Sequence, residues 1–250
     1  MEPREAAEVE IIKSLRAGLL SPDEQGYTSG QRLSDGLGIS RTAVWKHIKS
    51  LRRMGFEIEA SPSKGYRLSA SSHPFNSVEI SSLLATGTIG NKIFFYDKLE
   101  STNRRAFELG RAGLDEGTAV IADSQSHGKG RVGRQWASPP GVNLYTSLLL
   151  RPAIRPQEAH CLTFLMAVAV AEAVSLFCPV KPSVKWPNDV LIGTRKVAGI
   201  LLEMSSEADR VHFIVAGAGV NINMAHDALP DEIRSIATSL KEAGGVEIDR

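Results

Sequence analysis

Three short segments of this 250-residue chain place residue types at spacings that suit a phosphate-bearing ligand. In the first, Gly128, Lys129, Gly130, Arg131, Val132, Gly133 and Arg134 follow one another. Glycines at every second or third position let a backbone turn tightly and expose its N–H groups, and the interleaved cations add charge. Such a loop is built to surround phosphate or adenylate oxygens, although a mobile surface loop fits the same residues. The second segment is Lys185-Trp186-Pro187-Asn188-Asp189, with Lys196 seven residues on. The aromatic and the rigid proline fix side-chain direction around Lys185 and Asp189. Lys196 opens the apolar run KVAGILLEM, so its ammonium can stand at the mouth of an apolar pocket. A surface hairpin with solvated charges is the alternative. The third is Glu100-Ser101-Thr102-Asn103, small polar side chains at a strand-to-helix turn. They can hydrogen-bond a neutral ligand head or simply cap the helix, and taken alone capping is the plainer reading.

The elements that must hold these segments alternate strand and helix. KIFFYDKL, TAVIADSQ and NLYTSLLL read as strands, and the stretch from Ser101 to Gly113 as a helix between the first two. A long helix is expected from about Gln157 to Phe177. VKWPNDVLI and KVAGILLEM pair as a hairpin across IGTR, and VHFIVAGAGVNIN gives a further strand that runs into a loop bearing Asn221 and Asn223. The pattern predicts an α+β domain on a mixed sheet. No GxGxxG follows a strand and no Walker lysine motif occurs, so neither standard nucleotide fingerprint is present.

A smaller unit precedes it. Val9, Ile12, Leu15 and Leu19 fall on one face of a helix over 9–19. Ser29 precedes a short helix that Gly38 ends, and Ser40 is placed to cap the next, Arg41 to Met54. FEIEA and GYRLS alternate like a hairpin turning through SPSK. That order is a winged helix-turn-helix, whose second helix lies in the major groove. Arg41, Thr42, Trp45 and Lys46 occupy the base-reading positions, with Trp45 open to a core role as well. Ser40, Lys49 and Lys64 suit phosphate. A helical docking domain with a solvated basic face is the other reading. The Ser-rich SASSHPFNS reads as a linker, giving domains over 1–70 and 71–250.

Composition agrees with two anionic partners. The net charge is +1, yet Gly30 to Phe56 holds six basic residues against Asp35 alone. Ser124 to Gln157 has no acid while carrying Lys129, Arg131, Arg134, Arg151 and Arg155. Cys161 and Cys178 lack metal-ligand spacing and are expected as buried thiols in a reducing, cytoplasmic setting. The opening MEPREAAEVE lacks a signal-peptide layout, and no membrane-crossing run is expected.

Taken together, ESTN, SQSHGKGRVGRQW, GVNLYTSLLL, KWPNDVLIGTRKVAGILLE and GAGVNIN resemble biotin–protein ligases in order and spacing, over nearly the whole chain. With SGQRLSDGLGISRTAVWKHI ahead of them, the chain resembles the subclass that doubles as a repressor of biotin-synthesis genes. The resemblance implies that Ser101, Thr102, Asn103 and Gln125 bind biotin. It implies that Gly128, Lys129, Gly130, Arg131 and Gly133 close over biotinyl-adenylate, Lys129 standing where relatives often carry Arg. Lys196 would contact both biotin and the α-phosphate. Lys185, Asn188, Asp189, Asn221 and Asn223 are candidates for the ATP end, with Asp189 also a candidate for Mg²⁺.

The implied enzyme is an ATP-dependent biotin–[acetyl-CoA-carboxylase] ligase. Biotin's carboxylate attacks the α-phosphorus of ATP, and an acceptor lysine on a biotin carboxyl carrier protein then takes the biotinyl group. An anion approaching a polyanion needs cations, which Lys196 and Arg131 would supply with Mg²⁺. Retained biotinyl-AMP would favour a homodimer on a pseudo-palindromic operator. A lipoate or octanoyl transferase of the same fold, or a ligand-sensing repressor without catalysis, remains open. The chain stops at GGVEIDR, where relatives continue, so the family's small C-terminal β domain is expected to be absent.

Overall fold

The computed structural model describes residues 3–20, 25–177, 179 and 181–250. It divides into two compact units, Met1–Thr86 and Gly87–Arg250.

In the first unit, α1 (Pro3–Leu19) buries Ile11, Ile12 and Leu15 completely against α2 (Gly30–Leu37) and α3 (Arg41–Arg53). Each such side chain contributes roughly 1.5–3 kcal/mol on leaving water. Ser29 caps α2 by accepting from the Arg32 N–H, and Ser40 caps α3 by accepting from the Ala43 N–H. Gly38, at φ 65°, supplies the left-handed turn between them. The wing is β1 (Ile58–Ser61) against β2 (Gly65–Leu68), antiparallel, with Ile58 opposite Leu68. The winged helix-turn-helix expected from the sequence is therefore present.

The boundary lies beyond the expected residue 70, because α4 (Ser77–Leu83) belongs to this unit. Its Glu79 accepts from Arg16 of α1 at 2.8 and 2.9 Å, tying α4 to the helical core.

The second unit is a seven-stranded mixed sheet in the order β3-β4-β5-β9-β8-β7-β6. Its strands are β3 (Lys92–Leu99), β4 (Thr118–Gln125), β5 (Leu144–Leu150), β6 (Ser183–Lys185), β7 (Asp189–Ile192), β8 (Arg195–Ser206) and β9 (Val211–Val220). Only β3 and β4 run parallel, joined by α5 (Thr102–Arg111). VKWPNDVLI is not one strand as expected. It breaks into β6 and β7 with Trp186–Asn188 between them, and β7 then turns into β8. α7 (Asp231–Arg234) and α8 (Leu240–Gly244) complete the unit.

Two further expectations are corrected by α6 (His160–Ser175). Cys161 is exposed at its first turn instead of buried, and Cys178 lies outside the described residues. Pro156–Ser175 is also long and apolar enough, by length and composition, to cross a membrane. In the fold it lies on the sheet, with Ala167 and Val174 packed in the core beside Val190 and Val197.

Candidate active site

β8 and β9 lie side by side with Gly199 opposite Gly219 and Leu201 opposite Gly217. Glycines two apart on neighbouring strands leave one face of the sheet bare, and two side chains lie on it. A Cβ at Gly217 would stand 1.9 Å from Asn103 Oδ1, and one at Gly219 would stand 2.5 Å from the Trp136 ring. The pocket above this floor is lined by Ser101, Thr102, Asn103, Gln125, Lys129, Gly130, Arg131, Trp136, Asn188 and Lys196. All three sequence segments therefore meet at one place.

The Ser-Thr-Asn turn forms one end. Ser101 holds the N-cap position of α5 but makes no side-chain cap bond, so capping does not use its hydroxyl. Gln125 performs that task instead: its Oε1 accepts from the Thr102 N–H at 2.8 Å, and its Nε2 donates to Ser138 Oγ at 2.9 Å. Asn103 is buried and fully oriented. Its Oδ1 accepts from Ser147 Oγ at 2.7 Å, and its Nδ2 donates to Glu203 Oε2 at 2.9 Å and to the Leu201 carbonyl at 3.3 Å. Ser147, completely buried on β5, also sits 2.8 Å from Thr102 Oγ1. The result is a rigid set of small polar groups around an apolar floor, the arrangement that reads a neutral polar head.

Lys196 forms the other end. Its Nζ is 2.6 Å from Asp189 Oδ1 and 5.2 Å from the centre of the Trp136 ring. Its backbone is clamped on both sides, its N–H donating to Ile236 O at 2.8 Å and its carbonyl accepting from Thr238 N–H at 2.9 Å. Trp136 Nε1 is buried with no partner among the described residues. An orphaned donor in a pocket wall is a costly feature unless a ligand oxygen meets it.

The glycine-rich loop closes the rim. The Gly130 N–H donates to Arg134 O at 2.7 Å, and Lys129 bridges Gln135, so the loop is a narrow turn. At its tip Val132 is 95% exposed with φ 55°, a conformation a β-branched side chain rarely takes, and Gly133 follows at φ 72°. Lys129 pairs with Glu203 at 2.9 Å, and Arg131 Nη1 donates to Asn188 Oδ1 at 3.0 Å. Asn188 is itself fixed by donating to Ile200 O at 3.0 Å. Gly128 backs against Trp136, whose backbone N–H donates to the Gly128 carbonyl at 2.8 Å.

Some sequence candidates stand apart from the pocket. Lys185 is exposed at the end of β6, opposite Asp189 in register but not among the lining residues. Asn221 Nδ2 donates to Thr238 O at 3.0 Å, and Asn223 exchanges two bonds with the Ile248 backbone, at 2.7 and 2.9 Å. Both asparagines hold the C-terminal segment in place and neither lines the pocket. No group of three or more His, Cys, Asp or Glu side chains stands ready for a metal among the described residues. Trp136, Ser147 and Glu203 were missed. Alternating glycines in AGAGV were the signal that something large lies on that strand.

In the winged-helix unit, Arg41, Thr42, Trp45, Lys46 and Lys49 are all exposed along α3. Trp45 is 53% exposed with Lys49 Nζ 5.4 Å from its ring centre, so it is not a core residue. Arg41, Thr42 and Trp45 share a cleft with the wing residues Ser61–Tyr66, and Lys64 at the wing tip donates to Gln25 at 2.7 Å. The Ser40 hydroxyl oxygen is occupied by its capping bond.

The family model described as biotin/lipoate A/B protein ligase matches residues 95–221, and one described as an HTH domain matches 22–67. The bifunctional ligase/repressor BirA of Bacillus subtilis is 44% identical over 232 residues, covering 93% of this chain and 71% of that protein. BirA of Escherichia coli is 36% identical, covering 90% and 68%. A solved biotin protein ligase from Aquifex aeolicus, in complex with biotin and ATP, superposes with a TM-score of 0.54 at 34% identity. That match spans 64% of each chain. With a family model over half its length and relatives this similar, the chain belongs to the biotin/lipoate A/B protein ligase family.

Proposed function

We propose that this chain activates biotin with ATP to biotinyl-5′-AMP and passes the biotinyl group to a lysine of a biotin carboxyl carrier protein. The observation that carries this reading is the pocket's polarity. A neutral polar cradle of Ser101, Thr102, Asn103 and Gln125 faces a cationic end at Lys196, with an apolar glycine floor between them and Arg131 on the rim. Biotin has the same layout: a polar ring head, an apolar chain and a carboxylate. Lys196 would bring the carboxylate and the α-phosphate together, and Arg131 would hold the adenylate. Gly128, Gly130 and Gly133 let the loop's backbone approach phosphate.

Mg²⁺ would enter with the ATP phosphates. Asp189, beside Lys196, would help hold it, since the ion takes one or two carboxylates beside substrate oxygens. No nucleophile–base pair is needed, since the acceptor amine attacks the mixed anhydride directly. The setting would be cytoplasmic, where ATP and such an acceptor meet.

The winged helix adds a second role: repression of biotin-synthesis genes, with retained biotinyl-AMP favouring a dimer on a pseudo-palindromic operator. Arg41, Thr42, Trp45 and Lys46 would read bases, while Lys49 and Lys64 would hold phosphates. The deciding experiment is pyrophosphate release from ATP and Mg²⁺ with biotin, lipoate or octanoate, for the wild type and Lys196→Ala. Release that requires biotin and collapses in the variant supports the reading; release with lipoate instead, or with none of the acids, removes it.

A further inference from the structure

Glu203 sits on β8 two residues beyond Leu201, on the strand face that lines the pocket. Its two carboxylate oxygens serve different parts of the site. Oε2 accepts from Asn103 Nδ2 at 2.9 Å, completing the amide's orientation, while Oε1 accepts from Lys129 Nζ at 2.9 Å. Asn103 belongs to the rigid turn at the recognition end; Lys129 belongs to the loop at the rim.

The same contact ties the loop to β8. Lys129 is bridged to Gln135, and Gly130 is bonded to Arg134, so displacing Lys129 carries Arg131 with it. Glu100, which lines the same outer cleft, is paired with Arg104, while Lys129 is paired with Glu203. Side chains 44% and 30% exposed make this a contact of modest strength. A buried pair would hold the loop shut, and a fully solvated one would hold nothing.

We propose that Glu203 is a positioning residue: one carboxylate that sets the ligand-reading amide of Asn103 and anchors the glycine-rich loop through Lys129. The loop's closure and the recognition end of the pocket are thereby coupled through a single side chain. The consequence for ligand lifetime rests on the adenylation reading above; the coupling in the ligand-free protein does not.

Glu203→Gln separates the two contacts, because its amide oxygen still accepts from Asn103 while the ion pair to Lys129 is lost. In the full chain without ligand, trypsin should cut after Arg131 three- to fivefold faster in Glu203→Gln, with an unchanged melting temperature. Lys129→Met should show the same acceleration, and the double variant should be no faster than either single one. Glu203→Leu, which cannot serve Asn103, should also bind biotin more weakly than Glu203→Gln. Wild-type cleavage rates in Glu203→Gln, or additive effects in the double variant, overturn the proposal. If wild type makes biotinyl-AMP, its release should quicken by the same factor in Glu203→Gln, and an unchanged release rate also overturns it. If wild type releases no pyrophosphate with biotin, the adenylation reading fails by itself and the proteolysis still decides the coupling.

Discussion

Lys196 holds its ammonium 2.6 Å from Asp189, across the β7–β8 hairpin, at the cationic end of the pocket. The pairing aims the amine, and a carboxylate or phosphate arriving there would compete with Asp189 for it. On the proposed reading, removing the amine takes a cation away from the developing charge of the adenylation step. Lys196→Ala should therefore lower the rate of biotin-dependent pyrophosphate release by about 10²–10³-fold. A Lys196→Ala variant within tenfold of wild type would remove Lys196 from the chemistry.

Gly217 offers a test of the recognition end that deletes no polar group. A methyl group there would lie 1.9 Å from Asn103 Oδ1, so the amide must swing off its partners Ser147 and Glu203. A pocket built around hydrogen bonds discriminates sharply when one is misplaced. Gly217→Ala should raise KM for biotin by about tenfold or more while KM for ATP changes little. Calorimetric titration with biotin checks the same point without turnover, and unaltered biotin affinity would mean that Asn103 is not a reader.

How much of this was legible beforehand depended on range along the chain. The winged helix announced itself through local signals, Ser29, Gly38 and Ser40, because capping acts over three or four residues. The strands bearing Lys92–Leu99 and Thr118–Gln125 were equally plain from composition. The WPN break between β6 and β7 was not, since the apolar residues either side of it continue one pattern. Asn221 and Asn223 followed a strand into a loop, as ligand residues often do, yet their partners Thr238 and Ile248 come from a segment with no readable periodicity. Ser147 and Glu203 matter only through residues more than 40 positions away, and pairings of that kind leave no trace in one sequence.

The C-terminal segment makes a pH-dependent contribution. Glu242 of α8 is partly buried, which raises its proton affinity. Arg195, Thr238 and His226 outweigh that burial and hold the carboxyl below its ordinary range. The folded form therefore gives up this proton more readily than the unfolded chain. The resulting stabilisation is complete above about pH 4.3 and disappears as pH falls through the lower folded value. Glu242→Gln should cost about 1 kcal/mol at neutral pH, or about 2–4 °C in melting temperature. The gap to wild type should close in acid, as pH falls through the lowered folded value, and a gap that stays constant there would assign the effect to packing. Because Ile236 and Thr238 clamp the Lys196 backbone, the same variant should also slow pyrophosphate release.

The exposed face of α3 can be divided by function. Lys49 stands one turn beyond Trp45 with its ammonium over the indole ring. On the proposed reading, Lys49→Ala removes one phosphate contact and keeps all four base-reading side chains. Affinity for operator and random DNA should fall by similar factors, and the slope of log affinity against log salt should shrink by about one unit. Arg41→Ala should instead erode the preference for operator over random DNA, since a bidentate base contact is worth about 1–3 kcal/mol of discrimination. Both quantities come from one set of fluorescence-anisotropy titrations at several salt concentrations. Variants that leave affinity and slope unchanged would reassign this face to a protein partner.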